Sequence, residues 1–392
     1  MIRKLHVTNF KSLKDVTLDL GLRNVLVGPN MAGKSNLVSV FRFLAHMVAP
    51  PSPGTYGLVS AFADAGGFGD VRWRGANSQL ITFELEGDFP RLEDDGEAIR
   101  WRYLLEVLGS ARGPLIVQNE FLGTASSRGG AHLIKKDPDT GQRLIQNLDG
   151  STVSTIADKE RSALEFELPG WDGDRLRHLF GLARFYQLIP RLMREVNQTS
   201  AAFWLDREGR NLSSWLMTIF TKHRDDFDKI GAAARSVFPE LERLYPFPTP
   251  QSQVFVASSE KGLLTDVPLW QMSDGELCFI ALASLIFAPP QLAAPLYCIE
   301  EPENYLHPRL LDAAIELLRQ EQMGRGHHAA QVIATTHSPK LVDKTGIDEL
   351  IVVEKRDGAT TCRRPTSSNN LRELLDEAGL GDLYYSGALA SG

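Results

Sequence analysis

Cysteine is scarce in this sequence of 392 residues, which contains only Cys278, Cys298 and Cys362. Three thiols cannot build the dense disulfide framework of small secreted domains, so we do not expect a protein of that class. Cys278 and Cys298 lie within apolar runs, which is typical of thiols in a core. The sequence therefore predicts a protein of a reducing compartment, and we expect it in the cytoplasm.

Long hydrophobic runs are also lacking. The most apolar stretch, residues 277–299, is interrupted by Pro289 and Pro290 after about twelve residues, whereas a membrane-spanning helix needs about 20. The first ten residues carry charges and contain no apolar segment of the kind found in signal peptides. We expect no membrane partner, and we interpret residues 277–299 as a buried helix followed by a buried strand.

The sequence has no excess of positive charge, because its formal net charge is −7 and its pI is about 5.8. Such a protein has no global field that attracts polyanions, so any contact with nucleic acid must be local. Short basic stretches, such as residues 175–184 and 189–196, could supply local contacts, but charges of this density also fit a solvated surface. DNA is therefore a candidate partner, with both interpretations open.

A phosphate-binding pattern is present at residues 23–41, RNVLVGPNMAGKSNLVSVF. A buried strand is predicted before Gly28, a glycine-bounded loop runs to Gly33, and a helix is predicted from Lys34 onward. Glycines let backbone N–H groups turn toward phosphates, Lys34 neutralises phosphate oxygens, and the Ser35 hydroxyl can hold magnesium. A chance glycine loop is the weaker interpretation, so the sequence predicts a nucleoside triphosphate site.

The nucleotide is expected to be ATP, because no Asn-Lys-x-Asp motif of guanine recognition occurs in the sequence. A phosphate-binding loop alone does not identify the reaction, since kinases, GTPases, transporters and motors share it. A second strand, residues 296–299, ends in Glu300 and Glu301. Ligands of α/β sheets lie beyond the carboxyl ends of the strands, so both carboxylates should face the phosphates.

We assign Glu300 to magnesium and Glu301 to positioning or deprotonating the attacking water. The alternative is an acidic turn whose glutamates only favour the N-terminus of the next helix. A third strand, in residues 331–336, ends before His337, which would place this imidazole near the γ-phosphate. His307 is interpreted as part of a helix start beside Pro308.

The stretch QMSDGELCFIALASLI places Ser273, Gly275 and Glu276 at the start of an apolar helix. A hydroxyl and free N–H groups at a positive helix end form an anion site, although the same residues describe an ordinary helix cap. One chain cannot easily place two such sites on one γ-phosphate. Two chains can, each presenting Ser273 to the nucleotide on its partner, and Glu303 and Asn304 could cross that interface.

Strand and helix patterns divide the chain into four predicted segments. Apolar and polar residues alternate over residues 1–20, which predicts a hairpin at the edge of a sheet. Residues 49–79 are rich in Pro, Gly and Ala and resemble a connector or mobile loop. The predicted fold is α/β, a P-loop ATPase head with an inserted antiparallel β subdomain and a helical lobe. The predicted segments are core 1–79, β-rich 80–168, helical 169–250 and core 251–392.

Taken in order, these motifs make the sequence resemble the ABC-type ATPases of the SMC and RecF group. It is most similar to compact RecF-like predicted ATPases, which include the ATPase half of OLD-family proteins. The opening VTNFKSLKDVTLDL and the tail GLGDLYYSGAL also resemble that group. The sequence differs at Met31, where the group often has glycine, and at Glu300, where aspartate is commoner. About 55 residues follow His337, too few for the OLD nuclease domain, so we predict no nuclease activity.

The resemblance implies roles for individual residues. Nucleotide contacts are implied for Lys11, Gly28, Asn30, Ala32, Gly33, Lys34, Ser35 and Asn36. Catalysis is implied for Lys34, Glu301 and His337, and action in trans for Ser273, Gly275 and Glu276. Metal contacts are implied for Ser35, Glu300 and a magnesium-sensing glutamine, for which Gln187 is the candidate.

The resemblance further implies an ATPase that dimerises head to head around two ATP molecules and couples to DNA or an effector in DNA repair or antiphage defence. An ATP-gated scaffold that sequesters a separately encoded toxin or nuclease is the alternative. A transporter's cytosolic ATPase fits less well, since its usual signature is Leu-Ser-Gly-Gly-Gln rather than Ser-Asp-Gly-Glu.

Overall fold

A computed structural model describes residues 1–50, 57–89, 98–110, 113–126, 129–137, 139–365 and 379–385. Residues 51–56 of the predicted connector and the tail beyond residue 385 lie outside these ranges. In chain order the strands are β1 Ile2–Phe10, β2 Leu13–Asp19, β3 Arg23–Val27, β4 Leu80–Asp88, β5 Arg100–Leu108, β6 Ile116–Ser126, β7 Gly129–Lys136, β8 Arg143–Gln146, β9 Thr152–Ile156, β10 Arg184–Tyr186, β11 Asn197–Gln198, β12 Leu241–Pro248, β13 Gln253–Glu260, β14 Val267–Pro268, β15 Leu296–Glu300, β16 Gln331–Thr336, β17 Leu350–Arg356 and β18 Ala359–Arg363.

The helices lie between these strands, except for the last, which follows β18. They are α1 Lys34–Val48, α2 Gly57–Asp64, α3 Phe68–Val71, α4 Asp174–Gly181, α5 Pro190–Met193, α6 Leu212–Lys222, α7 Arg224–Val237, α8 Asp274–Ile286, α9 Pro308–Arg325, α10 Pro339–Lys344 and α11 Leu380–Tyr385. No helix in the described ranges has the length and apolar character needed to cross a bilayer.

A six-stranded sheet in the order β10-β15-β16-β3-β17-β18 carries the predicted motifs. All six residues of β16 are buried, as expected of a strand covered on both faces. Strands β10, β15, β16 and β3 are parallel neighbours, so their carboxyl ends meet at one edge. The phosphate-binding loop follows β3, the Glu300-Glu301 pair begins with the last residue of β15, and His337 follows β16. The sheet thereby brings the three motifs together.

An eight-stranded antiparallel sheet has the order β2-β1-β4-β5-β6-β7-β8-β9. The predicted edge hairpin is confirmed as β1 and β2, and β1 pairs on its other side with β4. The β-rich segment therefore continues the N-terminal hairpin, because Phe83 opposite Val7 completes one buried face. Phe10 packs on Phe43 of α1 and on Phe83, which joins this sheet to the phosphate-loop helix. The limits of the four segments stay predictions.

The apolar stretch 277–299 folds as predicted, into the buried helix α8 and the buried strand β15. Cys278 and Cys298 are buried within these two elements, as expected. His307 is the N-cap of α9 and Pro308 its first residue, so the prediction of a helix start there is confirmed. The chain turns between helix and strand where Pro289 and Pro290 follow α8.

The expectation of a connector over residues 49–79 was wrong for residues 57–71, which form α2 and α3. Glycine weakens a local helix signal, but Leu58, Phe62 and Phe68 are buried here. Phe62 packs against Phe43 of α1. Burial against α1 stabilises a helix that composition alone does not indicate.

Helical periodicity also misassigned three strands, β10, β11 and the start of β12, inside residues 172–244. Residues 184–186 form β10, which pairs in parallel with β15, and β12 begins at Leu241. Phe185 lies opposite Cys298 in this pairing. Pairing with a neighbouring strand overrides the local helical pattern, which carries no information about that neighbour.

A buried ion pair lies in the eight-stranded sheet. Arg143 of β8 donates to the Glu120 carboxylate of β6, and both side chains are almost fully buried. The Tyr103 hydroxyl and the Ser162 hydroxyl donate to Glu120 Oε1 at 2.9 and 2.6 Å. The Ala163 N–H donates to Oε2 at 2.8 Å, so both carboxylate oxygens are satisfied inside the protein.

Candidate active site

The loop from Gly28 to Gly33 wraps around the Lys34 side chain. Lys34 Nζ donates to the carbonyl oxygens of Gly28 at 2.6 Å and Pro29 at 3.1 Å. Burial lowers the pKa of Lys34, whereas the charges of Glu301 and Glu303 act in the opposite direction. The ammonium is thus bound to carbonyls that a phosphate oxygen can replace.

Both bounding glycines are required by close approaches. A Cβ on Gly28 would lie 2.0 Å from the Val353 carbonyl oxygen of β17. Gly33 has a φ of 111°, and its Cβ would lie 2.0 Å from Thr360 Oγ1 of β18. The loop therefore packs so closely against the neighbouring strands that any side chain larger than that of glycine would clash at these two positions.

A hydroxyl network behind the loop was missed by the sequence reasoning. Thr360 Oγ1 donates to the Ala32 carbonyl at 2.9 Å and lies 2.6 Å from Ser12 Oγ. The Asn36 amide donates to the same Ser12 hydroxyl at 2.7 Å. Asn36 is thus bound to the β1–β2 turn, and its nucleotide contact stays a prediction, as do those of Asn30 and Ala32. No local signal marks Thr360, because it lies far from Ser12 along the chain.

Glu300 and Ser35 form a pair of hard oxygen donors. Ser35 Oγ donates to Glu300 Oε2 at 2.9 Å, across the gap between α1 and the end of β15. Hydroxyl and carboxylate oxygens are the ligand types that magnesium prefers, so the predicted pair fits this ion chemically. The structure therefore brings together two of the three predicted metal contacts.

Two arginines that we did not predict also contact Glu300. Arg42 Nη2 donates to Glu300 Oε1 at 2.9 Å, and Arg207 Nη2 lies 3.5 Å from the same oxygen. Arg42 follows Ser35 by seven residues, so both lie on one face of α1, a spacing that could have indicated it. Arg207 could not be found this way, since it reaches the site from the loop before α6.

Gln187 and Lys11 lie in the same neighbourhood. Gln187 directly follows β10, and its Oε1 is 3.4 Å from Arg207 Nη2. Lys11, in the β1–β2 turn, has a pKa lowered first by burial and then by the charge of Arg42, while Glu300 opposes this shift. The structure thus brings both candidates toward Glu300, and their metal and nucleotide contacts stay predictions.

Glu301 and His337 are in contact. His337 Nδ1 lies 3.2 Å from Glu301 Oε1, and the Asn304 amide donates to Glu301 Oε2 at 2.8 Å. Glu301 has a left-handed φ of 49°, and its N–H is bound by the Thr335 carbonyl at 2.9 Å. A non-glycine residue in this region is strained, so the turn after β15 is set by its surroundings rather than by local preference.

Glu303 faces into the protein, where its carboxylate accepts a hydrogen bond from Thr336 of β16. The sequence reasoning considered it for an interface between two chains. Burial raises the pKa of Glu303, and the charge of Glu301 acts in the same direction. The Asn304 amide likewise donates to Glu301 within its own chain, and a place for Glu303 or Asn304 at an interface between two chains stays a prediction.

The Ser273 segment forms the capping structure that was its alternative interpretation. Ser273 Oγ accepts from the Glu276 N–H at 3.3 Å, and Glu276 Oε2 accepts from the Ser273 N–H at 2.7 Å. A Cβ on Gly275 would lie 3.3 Å from the Tyr305 carbonyl oxygen, so α8 begins close beside the segment that follows Glu301. The roles of these residues in trans stay predictions.

Met31 at the tip of the loop has a φ of 66°, and its side chain is 85% exposed. A methionine in the left-handed region costs about 1–2 kcal/mol, which exceeds the cost of ordering glycine there. We expect Met31→Gly to raise the free energy of unfolding by about 0.5–1 kcal/mol in urea titrations. Met323→Gly is the control, because it replaces an exposed methionine inside helix α9 and should lower stability by about 1 kcal/mol. A loss of stability in both variants would contradict strain at Met31.

The family model described as "AAA domain, putative AbiEii toxin, Type IV TA system" matches residues 23–343, which is more than half of the chain. The chain belongs to this AAA-domain family. The match begins at β3 and ends in α10, so it includes every motif at the shared sheet edge. A search of curated proteins finds no match to this AAA-domain protein.

Solved structures support the fold. An SMC head bound to the C-winged helix domain of ScpA is 17% identical over 92% of this chain and 97% of its own, with a TM-score of 0.54. An SMC head domain with an extended coiled coil, bound to the C-terminal domain of ScpA derived from Pyrococcus furiosus, is 15% identical over 96% and 98%, with a TM-score of 0.51. The predicted α/β fold of a P-loop ATPase head is confirmed. Its ABC type, the details of the inserted β subdomain and a closer relation to RecF-like and OLD-family proteins stay predictions.

Proposed function

We propose that this AAA-domain protein hydrolyses ATP at a site completed by a second copy of the chain. The observation that carries the proposal is the contact between Glu301 and His337, at the sheet edge where the Lys34 loop and the Ser35–Glu300 pair also lie. A carboxylate held by an imidazole beside a phosphate-binding loop suits the activation of water for attack on phosphorus. The family match supports ATP as the substrate.

The chemistry follows from the positions of these side chains. The attacking water gives a proton to Glu301 as its oxygen forms a bond to the γ-phosphorus, and the bond from that phosphorus to the bridging oxygen breaks to give ADP and phosphate. Lys34 donates hydrogen bonds to phosphate oxygens, and His337 orients Glu301. Ser35 and Glu300 would hold magnesium, which neutralises phosphate charge when it is bound.

Dimerisation is inferred from the Ser273 segment. The N-terminus of α8 offers N–H groups and a hydroxyl suited to a γ-phosphate. The phosphate-binding loop of the same chain, however, leads into a different helix, α1, so the α8 site is free to bind the nucleotide of another chain. A head-to-head pair of chains lets each α8 face the partner's nucleotide. Closing on two ATP molecules and reopening after hydrolysis would then move whatever partner the protein carries.

The partner is proposed to be DNA or an effector protein, in repair or antiphage defence in the cytoplasm. The SMC heads to which the fold is similar are bound to ScpA, another protein, which supports a protein partner here. A second candidate function is an ATP-gated scaffold for a separately encoded toxin. The family description names a toxin–antitoxin system, which supports such a setting, although it gives the putative toxin role to the AAA-domain protein and not to a separate partner.

The test is complementation between two inactive variants. Lys34→Ala disables the chain's own loop, and Ser273→Asp keeps a capping residue while placing a carboxylate against the partner's phosphate. Mixing equal amounts should leave about a quarter of the sites intact, because half of the dimers carry one unmodified composite site. ATPase rates, measured with and without duplex DNA, should rise from near zero for each variant alone toward about a quarter of the wild-type rate for the mixture.

The control mixes Lys34→Ala with Glu301→Gln. Both changes affect the site built on one chain's own loop, so no dimer of these two variants retains an intact site. Rescue in the first mixture alone supports the composite site. Rescue in neither mixture, with wild-type protein hydrolysing ATP at the same specific rate at every dilution, would show that one chain acts alone.

A further inference from the structure

Glu303 is a carboxylate that the proposed reaction does not use. It lies two residues after Glu301 in the turn that follows β15, and its side chain is directed toward the end of β16. Its Oε1 accepts a hydrogen bond from Thr336, the last residue of β16. A contact between the ends of two neighbouring strands can determine where the side chains beyond each strand lie.

The Thr336 hydroxyl both accepts and donates a hydrogen bond. Its Oγ1 accepts a hydrogen bond from the Ser338 N–H at 2.9 Å, while its own hydrogen is donated to Glu303. Thr336 and Ser338 flank His337, so these two bonds determine the path of the backbone that carries the imidazole. His337 in turn lies 3.2 Å from Glu301.

We infer that Glu303 is a positioning residue, which acts through Thr336 to hold His337 against Glu301. This inference rests on the proposed hydrolytic function of Glu301. The catalytic pair would then be supported by two connections between β15 and β16: the Glu301 N–H to the Thr335 carbonyl, and Glu303 to Thr336. The first is a backbone bond that any sequence can make, whereas the second needs these two side chains.

The second oxygen of Glu303 indicates that the position is occupied for a reason other than stability. Oε2 is buried and has no hydrogen-bond partner among the described residues. A buried carboxylate oxygen without a partner costs free energy, so an apolar or amide side chain would suit the fold at least as well. The charged groups that face this carboxyl are Glu301 in its own turn, His337 after β16 and Lys34 on α1.

Four variants separate positioning from the other roles of a carboxylate. Glu303→Ala and Thr336→Val each remove the hydrogen bond, and we expect either to lower kcat about 10- to 100-fold, as a small misplacement of a catalytic pair does. Glu303→Gln retains an acceptor oxygen for Thr336 and should keep kcat within about threefold of wild type. Thr336→Ser retains the hydroxyl and should behave likewise.

The affinity for a non-hydrolysable ATP analogue should stay within about threefold of wild type in all four variants, because no side-chain hydrogen bond among the described residues joins Glu303 or Thr336 to the loop around Lys34. The double variant Glu303→Ala/Thr336→Val should be no slower than the slower single variant, since both changes remove the same bond. Thr345→Val is the matched control. It removes a buried threonine hydroxyl that donates to the Leu341 carbonyl in α10, and kcat should not change.

A second measurement does not depend on turnover. The imidazole ¹⁵N and ¹H resonances of His337, recorded for the nucleotide-free chain, should shift in Glu303→Ala and Thr336→Val, while those of His178 near Asp174 should not. Glu303→Gln impaired as strongly as Glu303→Ala would mean that charge matters rather than position, and would overturn the inference. Unmoved His337 resonances would overturn it too. Wild-type protein that fails to hydrolyse ATP would refute the proposed function, yet the resonances would still test the connection itself.

Discussion

Glu301→Gln is expected to lower kcat for ATP hydrolysis about a hundredfold to ten-thousandfold. The amide keeps the size of the side chain and can remain beside His337 and Asn304, but it cannot accept a proton from water at neutral pH. ATP binding should persist, because the phosphate loop and Lys34 are unchanged. The enzyme rate and the affinity for ATP are the two quantities to measure.

The same variant should accumulate as a dimer when ATP is present. If hydrolysis reopens the pair of chains, a variant that binds ATP without cleaving it stays closed, and size exclusion should show a larger mass with ATP than without. Glu316→Gln is the matched control, because Glu316 is an exposed residue on α9 whose carboxylate contacts only Gln320 among the hydrogen bonds described. A persistent monomer with undiminished turnover would count against Glu301 as the base.

Arg143→Met is expected to lower the free energy of unfolding by about 3–5 kcal/mol. The change leaves the Glu120 carboxylate buried without its cation, and the remaining donors from Tyr103, Ser162 and Ala163 do not neutralise its charge. The double variant Glu120→Gln/Arg143→Met should recover part of the loss, because an amide is easier to bury than an unpaired carboxylate. Chemical denaturation of the three proteins measures both differences.

Arg102→Met is the control for this prediction. Arg102 pairs with Glu84 on the same sheet, but 55% of the Arg102 side chain is exposed, so solvent screens the interaction. Loss of the Arg102–Glu84 pair should lower the free energy of unfolding by at most about 1 kcal/mol. Equal effects of Arg143→Met and Arg102→Met would show that burial does not determine the strength of these pairs. The ATPase rate per folded molecule should change in neither variant.

Much of the candidate site could be predicted from local sequence. The apolar run before Gly28 predicts β3, and Lys34 begins α1 as expected. The acidic pair at the end of β15 and the histidine after β16 were placed correctly as well, since parallel strands bring their carboxyl ends to one edge of a sheet. These predictions needed only the periodicity of short segments and one general rule of α/β topology.

Other features depend on residues far apart in the chain. The partners of Glu300 include Arg207, 93 positions away, and the Ser12–Thr360 contact spans 348 positions. Neither residue has a composition or spacing that identifies it. Pairing of β4 with β1 and of β10 with β15 likewise decided which segments became strands, against the local pattern at residues 184–186.

By itself, the sequence determined the α/β class and the positions of the glycine-bounded loop, the acidic pair and the histidine, because these depend on the periodicity of short segments and on where each strand ends. Only the tertiary structure decided that α2 is a helix, that Arg42 contacts Glu300, and that Glu303 accepts a hydrogen bond from Thr336. These outcomes depend on which surfaces are buried together. Burial and hydrogen bonding across distant segments are properties of the folded chain, and no short stretch of sequence contains them.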